Sequence, residues 1–113
     1  MTKIIEYLEN IKGESTAHLS GFKKVFLEFF DTETDLTQFA YGELKSGEVV
    51  EEHVHPTMEE FFFFLKGSGF YNIDGRVHHV KQSTFIRIPS NVKHSLEAKG
   101  SESLCFIYFG VGI

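Results

Sequence analysis

The chain has 113 residues, 42% hydrophobic and 24% charged, a balance that supports one globular domain with its own core and excludes a disordered chain. Its formal net charge is −5, and Lys23–Lys24 is the only adjacent basic pair, so neither a nucleic-acid partner nor membrane-surface binding is expected. No apolar run approaches the roughly 20 residues of a spanning helix; Lys3, Glu6 and Glu9 break any signal-peptide pattern, and the single Cys105 excludes an internal disulfide, so a cytoplasmic protein is expected.

Ile4, Ile5, Leu8 and Ile11 recur at helical spacing and predict one short N-terminal helix, ended by a break over residues 13–16. From there the pattern is that of strands. Aromatic and aliphatic runs fall at 22–30, 37–45, 49–55, 60–66, 70–73, 76–81, 84–88, 92–98 and 103–111, with polar or glycine-containing turns between them. Asp74–Gly75 is the strongest hairpin signal, because both residues tolerate positive φ. About nine short strands at this spacing predict an all-β sandwich or small barrel. There is no internal repeat, low-complexity segment or linker.

Two residue types are in excess: 13 Phe with four Tyr, and six His. His53 and His55 stand two apart on a predicted strand, so both imidazoles point to one face and form half of a transition-metal site. Glu60 opens the next strand and shares its face with Phe62 and Phe64, which would wall the site; Glu59 points the other way. Glu51 would share the face of the two histidines in a regular strand and could support them from behind.

Gly47, five residues, His53-x-His55, four residues, Glu60, six residues, Gly67 resembles the first motif of the cupin superfamily at every anchor. The second motif is met at Pro89 and His94, whereas Ser83 and Asn91 stand where that motif has glycines and Ala98 where it has asparagine. Asn tolerates the left-handed conformation that glycine would supply. Fifteen residues separate Gly67 from Ser83, as in small single-domain cupins, and the resemblance covers roughly residues 37–111.

The resemblance implies a jelly-roll β-barrel (a double-stranded β-helix), with residues 1–113 as one domain and a core barrel over about 37–111. It implies one divalent transition metal ion held by His53, His55, Glu60 and His94, a set that suits Fe, Mn, Ni, Zn or Cu. Phe62, Phe64, Tyr41, Tyr71 and Tyr108 are expected to line the pocket. Two functions are open: a metal-dependent dioxygenase, isomerase or lyase acting on a small metabolite, and a non-catalytic protein that binds or senses a small molecule through the same metal. The barrel fold hosts many chemistries and does not choose between them.

The remaining signals are weaker. Phe61 and Phe63 make the 60–66 strand apolar on both faces, so its outer face needs a cover: a second sheet, the N-terminal segment or a partner subunit. A homodimer is expected. Arg87 lies between Ile86 and Ile88 on an alternating strand and is expected to face solvent, with pairing to a substrate carboxylate as the alternative. His78 and His79 are adjacent, face opposite ways and stand outside the motif, and His18 carries no signal. Cys105 sits in an apolar run and reads as a buried, inert thiol.

Overall fold

A computed structural model describes residues 4–16 and 21–113; His18 lies outside them. The described residues form ten strands: β1 (Glu14–Ser15), β2 (Phe22–Glu28), β3 (Leu36–Leu44), β4 (Val49–His53), β5 (Met58–Lys66), β6 (Ser68–Ile73), β7 (Arg76–Lys81), β8 (Phe85–Ile88), β9 (His94–Lys99) and β10 (Leu104–Gly112). All pairings are antiparallel. One sheet has the order β1-β2-β3-β10-β5-β8 and the other β4-β9-β6-β7. This is the expected all-β jelly roll. β1 and β2 belong to the larger sheet, so the barrel wall begins before residue 37.

The predicted N-terminal helix does not form. Only a single 3-10 turn, Leu8–Asn10, appears there, with Ile4 and Ile5 exposed. A helix this short is marginal without a packed face. The segment instead reaches the outer face of the larger sheet, where Lys24 Nζ donates to the Leu8 carbonyl at 3.2 Å. β2 stops earlier than expected, because Glu28 enters a second 3-10 turn, Phe29–Asp31, and its backbone N–H donates to the Asp31 carboxylate at 2.9 Å. The Asp74–Gly75 turn is as predicted: both residues have positive φ and Ile73 pairs directly with Arg76.

The core is built from the inward residues of both sheets, among them Leu44, Phe64, Val80, Ile88, Leu96 and Leu104. Alternation along β5 buries Glu60, Phe62 and Phe64 and turns Phe61 and Phe63 outward. On the outer face, Phe61 and Phe39 each stack on Phe109, at 5.0 and 5.4 Å between ring centroids. The N-terminal segment covers one end of this face, with Ile4 and Ile5 beside Phe26, Phe39 and Ile107. Phe63 and its cross-strand partner Phe85 remain 40% and 61% exposed.

Candidate metal centre

Strand β4 is not regular. Val49 and Val50 pair with Glu97 and Leu96, but His53 pairs with His94, so one extra residue is accommodated between Val50 and His53. This bulge reverses the parity of the strand. Val50 lines the interior, Glu51 and Glu52 are exposed, and His53 returns to the interior. β4 ends at His53, and His55 follows in the loop rather than on the strand. Its position is held by the backbone of another loop, since the Asn91 N–H donates to the His55 carbonyl at 3.0 Å.

His53 and His55 therefore converge on Glu60 from β5 and His94 from β9. One ligand atom from each of the four lies within 4.8 Å of all the others. The His53 and His94 rings are 4.2 Å apart at their centroids, and His53 and His55 are 4.8 Å apart. His55 Nε2 and His94 Nε2 stand 3.3 and 3.4 Å from the same oxygen, Glu60 Oε1. His94 is 1% exposed, and its Nε2 makes no hydrogen bond.

Two backbone carbonyls orient the rings. His94 Nδ1 lies 2.9 Å from the Val92 carbonyl, and His53 Nδ1 lies 2.7 Å from the Glu51 carbonyl. A carbonyl only accepts, so each Nδ1 carries the proton and each Nε2 presents a lone pair to the cluster. Glu51 thus contributes its carbonyl and not its carboxylate, which the bulge turns to solvent.

Burial opposes ionisation of Glu60, but in the metal-free protein the His55 and His94 imidazoles beside it, when they carry a proton on Nε2, outweigh that cost and hold its carboxyl down at about 2. The Glu60 carboxylate raises the pKa of His55 against the opposing effect of burial. Three imidazole nitrogens and one carboxylate, with a buried lone pair lacking a donor, fit a divalent transition metal ion. The chemistry of these donors does not select one metal.

The cluster opens on a cavity of about 340 Å³. Phe62, Tyr71 and Tyr108 line it. Tyr41 and Phe64 do not. Tyr41 is outward on β3, where alternation turns Ala40, Gly42 and Leu44 inward, and its hydroxyl donates to Glu43 Oε1 at 2.8 Å. Phe64 points inward but is 0% exposed, sealed in the core below the cavity. Burial raises the Tyr71 and Tyr108 hydroxyls above the usual phenol range, and the Glu60 charge adds to it, so both stay protonated.

Arg87 stands on the outer face and grips the Glu59 carboxylate with Nε at 3.0 Å and Nη2 at 2.8 Å, so it does not reach the cavity. His78 and His79 are exposed on β7. Cys105 is buried and lies opposite Glu43 on the outer side of the sheet. Sequence reasoning missed Lys23, Gln38, Met58 and Phe106 in the cavity wall. Gln38 could have been found from the parity of β3, whose inward positions are 38, 40, 42 and 44.

The sequence matches the cupin domain family over residues 40–110. A 67-residue stretch is 36% identical to dimethylsulfoniopropionate lyase DddW of Ruegeria pomeroyi, covering 59% of this chain and 43% of the lyase. The matches to curated relatives thus span less than half of those proteins. Among solved structures, a predicted oxalate decarboxylase from Thermotoga maritima superposes with a TM-score of 0.91 at 21% identity, covering 97% of this chain and all of the other. The polyketide cyclase RemF from Streptomyces resistomycificus superposes with a TM-score of 0.81 at 18% identity, over 98% of this chain and 80% of the cyclase. These identities establish likeness of fold. With its motif residues gathered inside a jelly roll and the family match covering most of its length, the chain belongs to the cupin family.

Proposed function

We propose that the protein is a cytoplasmic, homodimeric metal-dependent enzyme that transforms a small metabolite in the cavity, with one divalent transition metal ion held by His53, His55, Glu60 and His94. The observation that carries this reading is His94 Nε2: it is buried, has no hydrogen bond and converges with three other donors. An unsatisfied buried acceptor costs about 1–3 kcal/mol, and a cation at the centre of the cluster removes that cost. The metal, when bound, supplies Lewis-acid or oxygen-activating chemistry.

The chain's own residues do the rest. Phe62 and Phe106 exclude water from the cavity beside Glu60. Tyr71 and Tyr108 hold protons at their hydroxyls next to that carboxylate and can donate to a developing negative charge. Among the dioxygenase, isomerase and lyase classes, a lyase is favoured, because the curated relative DddW is named a lyase. The second reading is a non-catalytic protein that binds or senses a small molecule through the same metal. It draws on the same cluster, since no group outside the four proposed ligands stands out as a general base.

The test is turnover of dimethylsulfoniopropionate, oxalate and related small acids by protein loaded in turn with Fe(II), Mn(II), Ni(II), Zn(II) and Cu(II). Turnover by the wild type that disappears in the His53→Ala, His55→Ala variant supports the enzyme. Tight binding without turnover selects the second reading.

A further inference from the structure

Lys23 stands in the cavity wall formed by β2 and β3. It pairs with Gly42 in the β2–β3 register and so shares the inward face with Gly42 and Ala40. Those neighbours are small, which lets its stem extend along β3 toward Gln38. Its Nζ donates to Gln38 Oε1 at 3.3 Å. Gln38 is oriented in turn by Glu28, because Gln38 Nε2 donates to Glu28 Oε1 at 3.2 Å and a carboxylate only accepts. The chain Glu28–Gln38–Lys23 thus fixes an ammonium at the wall.

That ammonium has no carboxylate of its own. None of the described residues forms an ion pair with it, and Glu14, directly across on β1, is exposed and makes no bridge to it. Residues 1–3 and 17–20 contain no acid. An ammonium has three donors, and one goes to Gln38. Glu28 is already shared with Gln38 and does not neutralise Lys23 directly.

The register also sets a distance. Glu60, Gly110 and Gln38 lie side by side on β5, β10 and β3. Two strand spacings separate the metal-cluster carboxylate from Gln38, roughly 10 Å between backbones. The position a Gly110 side chain would take is filled by Thr37 Oγ1 and Met58 Sδ, which floor the space between the two sites. A molecule of a few carbons spans it, with one end at the cluster and the other at Lys23.

We infer that Lys23, positioned by Gln38, is the specificity-determining residue of the cavity, and that it receives the carboxylate of a small organic acid. The inference rests on reading the cavity as a ligand site beside a metal. With a divalent ion held by the cluster, Lys23 adds a second cationic centre at the opposite wall of the same cavity, and a carboxylate ligand would be attracted to both.

The test compares each acid with its uncharged isostere: benzoate with benzamide, and propionate with propionamide. They are titrated by NMR into the full chain, metal-loaded and metal-stripped. The acids are expected to bind about 10-fold or more tighter than the amides in both forms, the size of one charge-assisted hydrogen bond. Lys23→Met should abolish the preference, Lys23→Arg should keep most of it, and Gln38→Leu should weaken it. Near-UV circular dichroism checks the fold of each variant, and if Lys23→Met does not fold, Lys23→Gln, which removes the charge and keeps a polar end, serves instead and should likewise abolish the preference. Equal affinities in the wild type, a preference that survives Lys23→Met, or one that vanishes on stripping the metal would overturn the inference. A Lys23-dependent preference in a protein that binds no metal would overturn the metal reading alone.

Discussion

His94 Nε2 lies 3.4 Å from Glu60 Oε1, and no hydrogen bond joins the two. His94 comes from the smaller sheet and Glu60 from the larger, so this contact joins the two halves of the barrel at the cluster. With Nδ1 committed to the Val92 carbonyl, His94 has only a lone pair to offer on that side.

Purified wild-type protein should accordingly carry about one divalent metal ion per chain by elemental analysis. Loss of two of four ligands in the His53→Ala, His55→Ala variant should leave it essentially metal-free. Unchanged metal content in that variant contradicts the ligand assignment.

The metal-free protein should show a stability maximum between about pH 4.5 and 6.5, read from thermal midpoints. Glu60, lowered from 4.5 to about 2, contributes stability that is present above 4.5 and is lost as pH falls toward 2. His55, raised above 6.5, contributes stability that is present below 6.5 and is lost as pH rises through its folded value. Both effects describe the Glu60–His55 ion pair, whose full contribution to stability is present only between about pH 4.5 and 6.5. Metal loading should move the maximum upward in pH, because bound imidazoles must be unprotonated. An identical profile with and without metal would refute this account.

Ser83 and Asn91 hold positive φ, at 70° and 64°, at the two places where the cupin motif has glycine. Replacing Ser83 with Gly should raise stability by about 0.5–1 kcal/mol, as relief of backbone strain exceeds the added chain entropy of the unfolded state. Asn91→Gly should be close to neutral. Denaturant midpoints measure both, and a destabilised Ser83→Gly protein contradicts the argument.

Light scattering at micromolar concentration should give twice the chain mass. The outer face around Phe63 and Phe85 is apolar and uncovered by the N-terminal segment, and a symmetric second copy would bury it. Phe63→Glu combined with Phe85→Lys should yield monomers that retain metal. A monomeric wild type rules the dimer out.

Phe64 and Tyr41 should separate from the cavity residues when mutated. Phe64→Ala should cost about 3–5 kcal/mol, as a fully buried ring leaves a void. Tyr41→Phe should leave ligand affinity unchanged, because that hydroxyl bonds Glu43 on the outer face. A ligand-affinity loss in Tyr41→Phe would mean that the outer face communicates with the cavity.

Local sequence alone determined much of this protein. Alternation and turn residues specify the strands and Asp74–Gly75 specifies its hairpin, because strand parity and turn chemistry act over a few residues, whereas the set His53, His55, Glu60 and His94 is legible only through the resemblance to the two cupin motifs. The N-terminal helix was misread because hydrophobic spacing in an eleven-residue segment does not say what surface will receive it. Only the tertiary structure decided how the histidines meet. A regular β4 that buried Val50 would turn His53 outward, and the bulge opposite His94 corrects its direction. The carbonyls of Glu51 and Val92 then set the ring protons, and the Asn91 N–H holds the His55 loop. Backbone groups carry no sequence signature, and their partners are chosen by how the two sheets close. The same closure placed Lys23 at the cavity wall, since the inward face of β2 depends on its register with β3.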